Sequence, residues 1–186
     1  MDRYWLLTST TYGNWLPGDA RGFVGTLRDP LGARAIHNTP GTEYDRDNLR
    51  LREYARNNLR CPPIFLTLPQ AQAMHCQFHE TATHRKWKLC AAAIMAAHVH
   101  IVVGVLGDPD PEKVLGDFKS YGSRILNRNW ERPASETWWT ESGSKRKLVG
   151  ESAVLAAIEY LRNQANPLVI WIAGEDQVPS KPAWLK

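Results

Sequence analysis

His98-Val99-His100-Ile101-Val102-Val103-Gly104-Val105 is the stretch whose reading decides the fold. Its β-branched residues and its length point to a strand. Successive side chains of a strand alternate between faces, so His98, His100, Val102 and Gly104 share one face and Val99, Ile101, Val103 and Val105 the other. The second face is core. The first holds two imidazoles about 6.6 Å apart along the chain. Two neutral imidazoles that converge can ligate a divalent metal, and a third ligand from another element would leave positions for substrate oxygens. The alternative is a pair of partly buried histidines satisfied by backbone or solvent. In so apolar a strand, polar groups cost free energy unless they are paired, which makes the pair hard to dismiss.

Working outward, Trp87 to Met95 reads as the antiparallel partner of this strand, although Ala91-Ala92-Ala93 would suit a helix on propensity alone. Before it, Leu68-Pro69-Gln70 opens a helix to about Arg85, with proline near the first helical position. After the histidine strand, Gly107 to Pro111 forms a turn and a helix runs from about Glu112 to Asn127. Trp138-Trp139-Thr140 begins a strand, Gly143-Ser144-Lys145-Arg146-Lys147 makes a basic hairpin tip, and Leu148-Val149 returns. A last helix spans about Glu151 to Asn166 and is stopped by Pro167. At the start, Tyr4 to Thr11 is a first strand. The region from Trp15 to about Asn48 is a Gly-, Pro- and Asn-rich excursion, followed by a short polar helix near 46–60. This order predicts an α+β fold, a ferredoxin-like antiparallel sheet with helices on one face. It predicts one domain over 1–186, with an insertion at about 22–60 and an irregular tail at about 172–186.

The 186 residues carry a net charge of +4 with a pI near 9.0, which favours a phosphate-bearing partner. Cys61, Cys76 and Cys90 are odd in number without C-x-x-C spacing, so a zinc ribbon or disulfide framework is not indicated and a reducing cytoplasm fits. No apolar run approaches the roughly 20 residues that a membrane helix needs.

Around the histidines, a further resemblance emerges. His98-Val99-His100 within Ala97 to Val103 resembles the His-hydrophobe-His strand of HUH single-strand transposases with one catalytic tyrosine, a group that includes REP-associated tyrosine transposases and insertion-sequence transposases. Thr11-Tyr12-Gly13-Asn14-Trp15-Leu16-Pro17-Gly18-Asp19, Phe118-Lys119-Ser120, and Tyr160 with Asn166-Pro167 resemble further segments of that family in the same order. The resemblance implies an HUH palm fold and a transposase or endonuclease that cuts and rejoins single-stranded DNA, beside a hairpin, through a 5′-phosphotyrosine. It also implies that Tyr160 is the nucleophile and that Gln164, four residues on and so on the same helix face, joins His98 and His100 around Mg²⁺ or Mn²⁺. Protonated histidines would fail as ligands, so activity is expected to fall below about pH 6 to 6.5.

Tyr121 is the rival nucleophile, but Ile125 stands where it would need a metal-ligand type. Lys119, Arg124 and Arg128 on its helix, the Lys145-Arg146-Lys147 tip, and Trp139 as a stacking surface are the candidate DNA contacts. Two other readings remain. One is a domesticated, non-catalytic DNA-binding protein of the same fold. The other is a metallohydrolase built on His75 and His79, which lacks the glutamate a zincin needs because Cys76 follows His75. A cytoplasmic, nucleoid-associated protein is expected, as a monomer or a homodimer.

Overall fold

The computed structural model describes residues 1–19, 26–28, 34–36, 48–141, 143–176, 179, 182 and 185. At its centre, β5 (His98–Val105) pairs antiparallel with β1 (Arg3–Thr10) on one side and with β4 (Lys88–Ile94) on the other. β6 (Ser144–Leu148) extends the sheet beside β1, and β7 (Val169–Ile172) extends it beside β4, so the order is β6-β1-β5-β4-β7. Every pairing in this sheet is antiparallel. A separate two-stranded ladder joins β2 (Thr26–Arg28) to β3 (Arg34–Ile36), and α1 (Leu49–Asn57) follows.

The alternation read from β5 holds. Val99, Ile101, Val103 and Val105 enter one core, together with Trp5 and Leu7 of β1, Ala92 and Ile94 of β4, and Trp171 of β7. α2 (Leu68–His84) and α3 (Pro111–Asn129) cover that face. They meet through Phe78 and Phe118, whose rings are 5.4 Å apart edge to face, a favoured aromatic geometry. α2 starts cleanly because Thr67 and Gln70 form a capping box, with the Thr67 N–H donating to Gln70 Oε1 at 2.9 Å.

The opposite face carries a second core of Cys90, Ala91, Ala93, Val102, Leu148 and Ile172, closed by Ala157 and Leu161 of α4 (Glu151–Arg162). The α+β antiparallel architecture therefore stands, but the helices lie on both faces of the sheet and not on one. The register shift between Leu89 and Ala91 and the alanines beside it leave a shallow apolar floor, and α4 covers it.

Three local expectations change. Ser144–Leu148 is a strand, so the basic run is not a hairpin tip. Its consecutive cations hide the alternation, and charged side chains of this kind suit a strand on the edge of a sheet. Trp138 and Trp139 belong to no named strand: Trp139 forms an isolated bridge with Thr11, just past β1, and the Tyr12 N–H donates to the Trp138 carbonyl at 2.9 Å. Val169–Ile172, unassigned from sequence, forms β7. Much of the 22–60 excursion and of the tail lies outside the described residues. Among the described residues, no helix is long and apolar enough to cross a membrane.

Candidate active site

Small side chains bring α4 close to the sheet. Ala91, Ala93 and Val102 are fully buried beneath it and Ala157 is 5% exposed, so the helix rests directly over the face that carries the histidines. His98 and His100 stand side by side there, with ring centroids 5.0 Å apart and nearly perpendicular planes. His98 is half-buried and His100 is buried.

The register fixes the support for His100. Thr8 is its direct partner across the β1–β5 ladder, and Thr8 Oγ1 lies 2.7 Å from His100 Nδ1. With Nδ1 engaged on the sheet side, Nε2 is the nitrogen that faces α4. Tyr160 meets it: the phenol oxygen lies 3.5 Å from His100 Nε2 and the two rings are 5.3 Å apart. Tyr160 is nevertheless 49% exposed, so its oxygen sits at the histidines while much of the ring remains open to solvent. Thr8 was not singled out from sequence. The signal was its place in β1, but strand pairing across 92 residues cannot be read from a local pattern.

Burial, and then the neighbouring His98, hold the His100 pKa down to about 4. His100 thus stays a neutral imidazole well below the pH 6 to 6.5 threshold expected from an ordinary histidine. This suits ligation, which requires the unprotonated ring.

Gln164 lies beyond the helix. α4 ends at Arg162 with Asn163 as its cap, earlier than the expected limit near Asn166, because Asn163 Nδ2 turns back to donate to the Glu159 carbonyl at 3.0 Å and Arg162 binds Glu175 at 2.6 and 2.7 Å. Gln164 Nε2 donates to the Tyr160 carbonyl at 3.1 Å, which keeps this residue next to the tyrosine although no longer within the helix. Among the described residues, no three His, Cys, Asp or Glu side chains form a metal-holding group. The donors at the pair are two imidazoles, and the Gln164 amide lies against the Tyr160 backbone. That mixed nitrogen and oxygen set fits a divalent cation completed by water or phosphate oxygens.

The other candidates sit elsewhere. α3 packs against the face opposite the histidines, so Tyr121 is separated from them by the sheet. Its ring instead lies under Arg124, whose guanidinium carbon is 4.7 Å from the ring centroid. Lys119 is half-buried and donates to the Thr140 carbonyl at 2.8 Å. Trp139 is 4% exposed, and its indole N–H donates inward to the Lys119 carbonyl and Ser123 Oγ. It is a core residue and not a stacking surface, since no face of the ring reaches solvent. Arg128 and Arg124 are exposed on α3. In β6, Lys145 pairs with Glu112 of α3, and Lys147 shares its side of the strand. Arg146 lies on the histidine face, opposite Leu6 and two residues along from Ser144, the partner of Thr8.

His75 and His79 face each other, with Nε2 atoms 3.2 Å apart, and Trp171 is edge-on to His79 at 4.3 Å between centroids. Burial, and then His79, lower the His75 pKa to about 4. Two neutral rings sharing one N–H···N bond within the α2–β7 packing account for this pair, and no third carboxylate, thiol or imidazole joins them in a metal-holding group among the described residues.

The family model described as IS200-like transposase matches residues 65–164, more than half of the chain, a span that contains both histidines, Tyr160 and Gln164. Among solved structures, the chain is similar to a REP-associated tyrosine transposase bound to a REP hairpin, with 11% identity and a TM-score of 0.46 over 86% of this chain and 64% of that one. The chain thus spans just under two thirds of that protein's length. No curated protein matches. With the match containing the histidine strand and reaching through Tyr160 to Gln164, the chain belongs to the IS200-like transposase family.

Proposed function

We propose that the protein is a DNA transposase and single-strand endonuclease that cuts and rejoins single-stranded DNA, adjacent to a hairpin, through a 5′-phosphotyrosine on Tyr160. The observation that carries this reading is the placement of the Tyr160 oxygen 3.5 Å from His100 Nε2, on the face where His98 stands. A phenol and two imidazoles from separate elements meet at a surface that a DNA strand can reach.

The residues divide the work. His98 and His100 would hold Mg²⁺ or Mn²⁺, with an amide oxygen of Gln164 as the third protein ligand the reading calls for. When bound, the cation supplies Lewis acidity that polarises a non-bridging phosphate oxygen. Thr8 accepts the Nδ1–H of His100 in the tautomer that leaves Nε2 its lone pair, and so keeps the ring aimed outward. α4 fixes the Tyr160 oxygen close to where the scissile phosphorus would lie. Attack forms the bond from the Tyr160 oxygen to phosphorus, and the bond from phosphorus to the 3′ oxygen breaks. The tyrosine gives up its proton, the departing oxygen takes one, and a free 3′-hydroxyl results. Because the phosphotyrosine is itself an ester, a 3′-hydroxyl on another strand can attack it in reverse, giving strand transfer without a nucleotide triphosphate.

The test is to incubate the full chain with single-stranded DNA and either Mg²⁺ or Mn²⁺ and to separate the products on a denaturing gel. A band of protein covalently joined to DNA, lost in Tyr160→Phe and on chelation, is expected. A wild type that binds DNA but never forms the adduct would overturn the catalytic reading and leave a DNA-binding protein.

A further inference from the structure

Among the described helices, α1 packs into neither core. None of its nine residues is buried. Leu51, Arg52 and Ala55 turn partly inward, while Arg50, Glu53 and Arg56 are exposed, as are Leu49 at 63% and Tyr54 at 69%. So short a helix does not persist on its own propensity, and this one is held at both ends. Asn48 caps it by accepting the Leu51 N–H at 3.1 Å, and the Asn48 N–H donates to the Gly18 carbonyl at 3.3 Å. Just past its end, the Arg60 N–H donates to the Tyr12 hydroxyl at 2.9 Å. Gly18 has φ +84, and a Cβ there would lie 2.4 Å from the Asn48 oxygen and 2.8 Å from the Arg52 nitrogen. Only glycine permits both that conformation and that approach.

The anchors decide where α1 stands. Tyr12 to Gly18 follows directly from β1, and the last residue of β1, Thr10, pairs with His98. The helix is therefore presented at the His98 end of the sheet. Arg50, Arg52 and Arg56 share the helix with a single acid, Glu53, and among the described residues none of the ion pairs involves any of the three arginines. Guanidinium groups bind phosphate oxygens in forked pairs, and an exposed tyrosine ring offers a face to an unpaired base.

We infer that α1 is a binding element for the single strand that runs to the histidine and tyrosine site, its arginines contacting the DNA backbone and Tyr54 a base. This rests on the function proposed above, and the experiment separates the two. Binding of the full chain to a labelled mixed-sequence single strand is measured by fluorescence anisotropy across a salt series, for wild type, for Arg50→Gln/Arg52→Gln/Arg56→Gln, for the corresponding triple lysine variant, and for Tyr54→Ala. The triple glutamine variant should bind about tenfold more weakly or worse near physiological salt. Its plot of log affinity against log salt should flatten by about 2, since each phosphate that an arginine no longer neutralises on a single strand removes about 0.7 from the slope. The lysine variant should keep the wild-type slope, and Tyr54→Ala should weaken binding without changing the slope. Adduct yield below saturating DNA should fall in step with the lost affinity. Equal affinity and slope in the wild type and the triple glutamine variant would overturn the role of α1 while leaving the proposed function standing. A wild type without salt-dependent binding to single-stranded DNA would overturn both.

Discussion

Replacing Thr8 with valine keeps the branched shape that a strand position favours and removes only the hydroxyl. That hydroxyl is 2.7 Å from His100 Nδ1, and His100 is 5% exposed, so water cannot readily take its place. A hydrogen bond of this kind contributes about 1 kcal/mol net, and a buried polar atom left without a partner costs about 1–3 kcal/mol. A loss of about 1–2 kcal/mol is therefore expected, which for a chain of this size lowers the melting temperature by about 2–8 °C. The effect on metal should be larger than the effect on folding. With Nδ1 unsupported, the imidazole can rotate or take the other tautomer, and losing such a support typically lowers metal affinity about 10- to 100-fold. Urea unfolding reads the first quantity, and the Mn²⁺ concentration giving half-maximal adduct reads the second. The adduct plateau at saturating Mn²⁺ should stay near the wild-type level, and Thr8→Ser should recover most of both losses. A Thr8→Val protein with wild-type stability and an unchanged Mn²⁺ midpoint would refute the idea that Thr8 orients His100.

Tyr121→Phe should leave adduct formation intact, because the sheet lies between α3 and the histidines; loss of the adduct in that variant, with the fold preserved, would place the chemistry on the wrong face. Ala93→Leu inserts three heavy atoms into a fully buried position under α4 and should cost about 1–3 kcal/mol by overpacking, seen as a lower urea midpoint together with reduced adduct yield as α4 and Tyr160 are lifted away. Stability should also depend on pH through His75. Its folded pKa of about 4 lies below the roughly 6.5 of an unfolded histidine, so the unfolded chain binds the proton first. Its contribution is fully present above about pH 6.5 and fades as pH falls towards 4, by up to about 3 kcal/mol. Urea midpoints measured at pH 7, 5.5 and 4.5 should fall in that order, and His75→Phe should make the trend shallower, leaving the part that His100, also held to about 4, contributes.

How far the sequence could be read follows from where its information is local. β5 was legible because Val99, Ile101, Val103 and Val105 make one face wholly apolar. The i, i+4 spacing of Tyr160 and Gln164 was legible as well, although the helix ends between them because Asn163 and the Arg162–Glu175 pair stop it. What stayed hidden depends on pairing across long separations. Nothing near Thr8 announces its contact with His100, and nothing near Lys145 shows that the basic run is an edge strand beside β1. Trp139 looked like a surface for DNA bases because it precedes cations, yet its indole N–H finds acceptors on α3 and the ring goes inward with them. β7 was readable in principle: Val169-Ile170-Trp171-Ile172 follows Pro167 and has strand composition, but the run is only four residues long. The placement of α4 on the far face required knowing that Ala91, Ala93 and Ala157 meet, which is a property of the packed sheet and not of any one segment.

The most direct test of tyrosine chemistry at the histidine face is to trap the covalent product with Mn²⁺ and single-stranded DNA, digest it with protease and nuclease, and locate the nucleotide-bearing peptide by mass spectrometry. The expected result is a remaining nucleotide attached through its 5′ phosphate to Tyr160, in the helix that contacts His100. Attachment to Tyr121 or to any residue off the histidine face would contradict it.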